Sequence, residues 1–267
     1  MNAGIFRSRL IMGLIMAVIA LFSYFSKMQV NPITGKRQAV TMTPQQEIAT
    51  GLQSAPQMAA EFGGLYEDQK LQDYVKAVGM KVVNNSEAAK SPYQFNFHLL
   101  ADPQTINAFA LPGGQIFITV GLLKRLKTED QLAGVLGHEV GHVIGRHSAQ
   151  QMAKDELTNG LLSAAVTATA DPYNPNNSTA IAQYVGKMIT MKYGRNDELE
   201  ADKFGVKYMI EAQYNPEEII GVMEILKQAA GGHAPSEFQS THPDPDHRIA
   251  EIKKALAQYN KTGKLEW

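Results

Sequence analysis

The sequence predicts a mainly α fold with a small β-sheet, an α+β arrangement, and three observations predict it. Apolar residues recur at helical spacing through 67–84, 129–152, 197–212, 215–230 and 245–259. Runs of β-branched and aromatic residues are confined to 94–101 and 115–120, between turn signals. No internal repeat is visible, and 267 residues suffice for one substantial domain with a short appendage.

Composition narrows the classes further. Hydrophobic residues at 44% and charged residues at 19% are those of a globular chain. A formal net charge of −1 supplies no basic field for nucleic acid, which is excluded as a partner. There are no cysteines, so disulfides, thiolate metal sites and cysteine nucleophiles are excluded as well.

Residues 1–9 carry Arg7 and Arg9 and no acid, and 10–25 are apolar apart from Gly13, Ser23 and Tyr24. As helix that run is about 24 Å long, close to the roughly 30 Å bilayer core. Ser-Tyr-Phe-Ser-Lys-Met follows it and offers no small-residue cleavage pattern, while Tyr24 and Phe25 suit a membrane interface. Residues 1–26 are therefore expected as an uncleaved signal anchor, with the arginines cytoplasmic and the rest on the extracytoplasmic, periplasmic side. The alternative is a secreted protein whose leader is removed. Residues 27–42, with Pro32, Gly35, Lys36 and Arg37, read as a linker.

Thr43-Pro44-Gln45-Gln46 opens a helix, Thr43 as N-cap and Gln46 completing a capping box, so the folded domain is set at 43–267. The helix at 67–84 turns Leu71, Val75, Val78 and Val82 to one face. His98, in the strand at 94–101, reads as structural. Pro112-Gly113-Gly114 marks a hairpin or bend before the strand at 115–120. A short helix begins at 122, and Thr128, followed by Glu129 and Asp130, caps the next. Gly137, Gly141 and Gly145 recur every four residues on it and would let another backbone approach. Residues 157–170 read as a buried helix, too short and too hydroxylated for a second membrane span. Residues 171–179 read as a loop, 181–191 as apolar-periodic, and Asn215-Pro216-Glu217-Glu218 as the start of the helix reaching 230. Residues 231–246 are loop-like.

The chemistry is concentrated at His138-Glu139-Val140-Gly141-His142. On a helix, residues four apart share a face about 5–6 Å apart, so His138 and His142 can meet one metal ion, with Glu139 placed to take a proton from the attacking water. A catalytic zinc needs a third protein ligand. The pattern that places a third histidine six residues after the second is broken, because position 148 is Ser148 and the histidine stands at His147, turned by about 100° on a continuing helix. Glu198 and Asp202, four apart on a later helix, offer instead a carboxylate ligand and an acceptor for a ligand imidazole N–H. The same acids also suit an exposed helix start.

With these residues on view, the sequence resembles the gluzincin zinc metalloproteases of the CAAX prenyl endopeptidase and HtpX-type heat-shock protease family. The resemblance rests on His138–His142 with Arg146-His147, on Glu198-Leu199-Glu200-Ala201-Asp202, on Asn107 to Gly114, and on Ser240-Thr241-His242-Pro243 with Arg248. It covers roughly 43–255. It implies a zincin-like metalloprotease domain holding one zinc ion on His138, His142 and Glu198, with Glu139 as base, and a polypeptide substrate in envelope and membrane protein quality control. One hydrophobic segment separates this chain from multi-spanning members and points to a single-anchor envelope branch.

His242 stays open between an extra metal ligand, a donor to the tetrahedral oxyanion, and a structural partner of Asp244 or Asp246. Arg248 is placed to pair with an acid such as Asp202. His233 and His247 read as surface residues. Substrate is expected to add as an edge strand along 115–120. The rival to a metalloendopeptidase is a non-catalytic zinc-binding chaperone or scaffold at the membrane surface.

Overall fold

The computed structural model describes residues 3–169, 194–229, 242 and 245–265, with side chains from Arg7 onward. It divides into two compact units, one built from 1–41 and 149–194 and the other from 42–148 and 195–267.

Helix α1 (Ala3–Ser26) opens the first unit. From Arg7 to Ser26 it is long and apolar enough to cross a membrane. Leu14, Val18, Ile19, Phe22 and Phe25 along it are exposed. The stretch expected as a linker carries an antiparallel hairpin of β1 (Met28–Val30) and β2 (Arg37–Ala39). Its turn is closed by the Asn31 side chain, whose Oδ1 accepts the amides of Ile33 at 2.9 Å and Thr34 at 3.1 Å.

The second unit begins with α2 (Pro44–Glu61). Its N-terminus is a complete capping box: the Thr43 side chain accepts the Gln46 amide, and the Gln46 side chain accepts the Thr43 amide. Helix α3 (Gln69–Asn84) is capped by Asp68 and buries Val75, Val78, Val82 and Val83. The sheet holds β3 (Asn96–Leu100), β4 (Ala108–Ala110) and β5 (Gln115–Thr119) in the order β3-β5-β4. Strand β5 runs parallel to β3 and antiparallel to β4. It is therefore the middle strand, buried along its length. The expectation that substrate adds along 115–120 is thereby corrected, because both edges of β5 are already paired; the edge strand on that side is β4. The β4–β5 turn depends on Gly113 and Gly114, at φ 80° and 112°.

Helix α4 (Val120–Leu123) is one turn long. Thr128 then caps α5 (Glu129–Gly145), accepting the Gln131 amide. The periodic stretch expected to continue to 152 is interrupted: Arg146 adopts a left-handed conformation, φ 59° and ψ 34°, and ends α5. Helix α6 (His147–Thr169) restarts at once. Its second half was expected to be buried, but Asn159, Ser163, Ala165 and Thr169 are exposed.

Among the described residues, three helices complete the second unit: α7 (Gly194–Glu211), α8 (Glu218–Ala229) and α9 (Pro245–Thr262). The segments expected as a loop at 171–179 and as apolar-periodic at 181–191 lie outside the described residues. Helix α7 crosses α5 at the glycines. A Cβ on Gly141 would sit 2.9 Å from Ala201 O, and one on Gly205 would sit 3.1 Å from His138 N. Side chains there would push the helices apart, so the small residues set how closely α7 meets α5. Gly145 does something else, since a Cβ on it would strike the His147 ring at 2.3 Å.

Candidate metal centre

Two helical spacings and one close approach assemble the site. His138 and His142 lie one turn apart on α5, and Glu198 reaches them from the second turn of α7. His142 Nε2 is 3.0 Å from His138 Nε2 and 3.3 Å from Glu198 Oε1. His138 Nε2 is 3.4 Å from Glu198 Oε2. His242 joins them, its Nδ1 lying 3.0 Å from Glu198 Oε1 and 3.4 Å from His138 Nε2. One ligand atom from each of these four residues lies within 4.8 Å of all the others.

These separations fit a bound cation. A tetrahedron with metal–ligand bonds of about 2.0–2.1 Å has edges of about 3.3–3.4 Å. Three imidazole nitrogens and a carboxylate face one another at these distances, a donor set that suits a cation.

Behind the four donors lies a fixed polar shell. His138 Nδ1 is 3.0 Å from Asp202 Oδ1. Arg248, 2% exposed, grips Asp202 with two hydrogen bonds of 2.7 Å, from Nε and Nη2. Its Nη1 lies 2.9 Å from Glu198 Oε2. One guanidinium on α9 thus holds both a metal-facing carboxylate and the carboxylate behind His138. His142 turns its other nitrogen elsewhere: Nδ1 is 2.8 Å from His147 Nδ1, and His147 Nε2 is 3.3 Å from Glu200 Oε2. If His142 offers Nε2 to a metal, its proton resides on Nδ1 and is donated to His147, whose own Nε2–H points at Glu200.

Charge follows this geometry. Burial disfavours the charged form of His138, but hydrogen bonds to Asp202 and Glu198 outweigh it and raise its pKa to about 9. Burial pushes His142 down to about 3. Burial would raise Glu198, yet His242 and His142 beside it hold it well below the usual carboxylate range. For Asp202 burial is likewise outweighed by Arg248, and its pKa falls. Glu139 differs: burial raises its pKa, and its Oε1 is buried with no hydrogen-bond partner among the described residues. His242 Nε2 lies 3.8 Å from that oxygen. A buried carboxylate oxygen beside a ring of metal donors has the position of a proton acceptor for water.

The structure thus brings together all seven residues singled out in the sequence: His138, Glu139, His142, Glu198, Asp202, His242 and Arg248. It also shows two that sequence reasoning missed, His147 and Glu200. Reading α5 as continuous swings the His147 ring off the site, and only the break at Arg146 returns it to His142. A further buried group lies on the same unit. Arg146 donates from Nε to Glu47 at 3.1 Å and from Nη2 to Met42 O at 2.5 Å. Tyr93 donates its hydroxyl to Glu47 at 2.8 Å. His98 is stacked on Phe117 and bonded to Gln115, away from the donors. His247 is exposed, and His233 lies outside the described residues.

Residues 69–256 match the family described as Peptidase family M48. The beta-barrel assembly-enhancing protease of Escherichia coli K12 is 28% identical over 238 residues, covering 85% of this chain and 47% of that protein. The mitochondrial metalloendopeptidase OMA1 of Schizosaccharomyces pombe is 28% identical over 242 residues, covering 88% of this chain and 68% of its own length. The Arabidopsis thaliana protein of the same name is 32% identical over 196 residues, covering 73% of this chain and 38% of its own. The chain spans about half the length of the bacterial relatives it matches.

Proposed function

The chain belongs to peptidase family M48, and from that premise we propose that it is a zinc-dependent metalloendopeptidase acting on misfolded or damaged proteins of the envelope and its membranes. The observation that carries this reading is the convergence of His138, His142, Glu198 and His242 beside the buried Glu139 carboxylate. Three imidazoles and a carboxylate at these separations suit zinc, one ion per chain. The substrate class draws on the relatives' names, beta-barrel assembly-enhancing protease and mitochondrial metalloendopeptidase. Within the family, the apolar α1 favours a single-anchor envelope branch over multi-spanning CAAX and HtpX-type members, with the peptidase on the extracytoplasmic side.

The residues take the following roles. His138, His142 and Glu198 hold the zinc, which when bound supplies a Lewis acid that polarises the scissile carbonyl and acidifies water. Glu139 Oε1 accepts the proton of the attacking water and returns it to the leaving amine. Asp202 and Arg248 fix the tautomer of His138 and the aim of Glu198. His242, beside Glu198 and His138, would either add a further donor to the zinc or donate to the oxyanion. An extended peptide adds to the free edge of β4, where Phe109 and Ala110 are partly exposed.

The four-donor arrangement also favours one rival, since closed coordination is typical of structural zinc sites. One experiment decides between them: zinc content and cleavage of an unfolded protein substrate for the wild type and Glu139→Gln. The variant should keep its zinc and lose hydrolysis by at least about 10²–10⁴-fold. Full activity in it would overturn the mechanism, and a zinc-loaded wild type inert toward every unfolded substrate would leave the scaffold.

A further inference from the structure

The second half of helix α6 has the composition of a membrane segment without the length of a span. From Leu157 to Thr169 it contains no charged residue and no histidine. It lies antiparallel to α1. A Cβ on Gly160 would fall 2.7 Å from the Ala20 Cβ, and one on Gly13 would fall 2.6 Å from Ala164 O and 2.7 Å from the Ala168 Cβ. Gly13, Ala20, Gly160, Ala164 and Ala168 thus form a seam of small residues, the packing that close helix contact in lipid favours.

Two further observations make the seam more than a small-residue stripe. The first is where charge stops: Lys27 pairs with Glu156 just beyond α1 and just before Leu157. On the far side of that pair both helices are uncharged, α1 from Leu10 to Ser26 and α6 from Leu157 to Thr169. The second is where the hydroxyls point. Ser163 donates to Asn159 O at 2.8 Å, Thr167 to Ser163 O at 2.8 Å and Thr169 to Ala165 O at 2.7 Å. These three hydroxyls are satisfied by their own helix, which lowers the penalty for leaving water, while Thr158 Oγ1, at the Glu156 end of the segment, is buried with no hydrogen-bond partner among the described residues. The hydroxyl content that argued against a membrane location therefore does not exclude one.

We propose that the second half of α6 is embedded in the bilayer beside α1, its exposed face covered by lipid acyl chains. Leu157 to Thr169 reaches about 20 Å at helical rise, into but not across a core of roughly 30 Å. The Lys27–Glu156 pair marks the level of the interface, with Asn159 one turn inside it. The proposal rests on the reading of α1 as a membrane anchor.

The chain has no cysteine of its own, so single cysteines can be placed at Leu14, Met152, Ala165 and Thr169 of the full chain in sealed vesicles. An impermeant maleimide should label Met152→Cys, whereas Ala165→Cys and Thr169→Cys should stay unlabelled until detergent is added. Labelling at 165 and 169 with Leu14→Cys still protected would overturn the α6 proposal and leave the anchor standing. Labelling at all four positions would overturn both. Because protein could also shield these sites, a fluorophore on Ser163→Cys should be quenched by nitroxide-bearing lipid; no quenching there would overturn the proposal.

Discussion

His142 faces two chemistries through one ring. Its Nε2 belongs to the metal-facing group and its Nδ1 to His147, which hands the chain of contacts on to Glu200. Outer contacts of this kind fix the tautomer that a metal ligand must present, and losing one typically weakens metal binding about 10–100-fold. His147→Phe should weaken zinc binding within that range, and Glu200→Gln should do so less, both read by competition with a chromophoric chelator. Unchanged affinity in His147→Phe would remove the relay from the site. Arg248→Met should be harsher, because it leaves Asp202 and Glu198 buried without their shared cation; breaking a buried pair costs about 3–5 kcal/mol, visible in chemical unfolding. At this scale the legible part was whatever helical spacing encodes: His138 with His142, and Glu198 with Asp202. The role of His147 was illegible because it depends on a left-handed Arg146. Arginine is not the residue that composition leads one to expect at a helix end; glycine is.

Helix contacts set how well those residues meet. Gly141 and Gly137 look alike in sequence but not in space. A Cβ on Gly141 meets Ala201 O at 2.9 Å, while one on Gly137 meets its nearest neighbour at an ordinary 3.4 Å. Gly141→Ala should therefore cost about 1–3 kcal/mol through overpacking and shift Glu198 away from the histidines. Gly137→Ala should leave stability and zinc affinity nearly intact. Equal effects on unfolding and zinc titration would refute the idea that α7 is seated by Gly141. Arg146→Gly would ease the left-handed backbone yet strand Glu47, so net destabilisation is expected in the same unfolding assay. Among strands, the sequence announced β3 and β5 through their β-branched and aromatic runs but not their order. Strand β4 is three residues long, too short for a period-two pattern, and without it β5 reads as an edge.

For the whole molecule, the proposed zinc ion and the proposed membrane anchor are the two larger commitments. Stripping zinc removes a ligand that binds the folded state, a loss of about 2.7 kcal/mol if the free ion stood at a hundred times its dissociation constant. Chelator should lower the midpoint of thermal unfolding, by about 2–4 °C per kcal/mol for a chain of this size, and added zinc should restore it. No shift on chelation would contradict a metal bound at His138, His142 and Glu198. The coarse architecture, helical with a small sheet, was legible because amphipathic period and capping residues such as Thr43 and Thr128 are local. The division into two units was not, since residues 149–194 return to 1–41 across more than a hundred positions. The grip of Arg248 carries one last consequence, for biogenesis. It lies 110 residues after His138, on the last helix described, α9. A chain emerging N-terminus first displays its histidines long before the guanidinium that holds Glu198 and Asp202 arrives. Until that helix is made, Glu198 and Asp202 lack the cation that holds them, so the proposed zinc site is completed only late in synthesis.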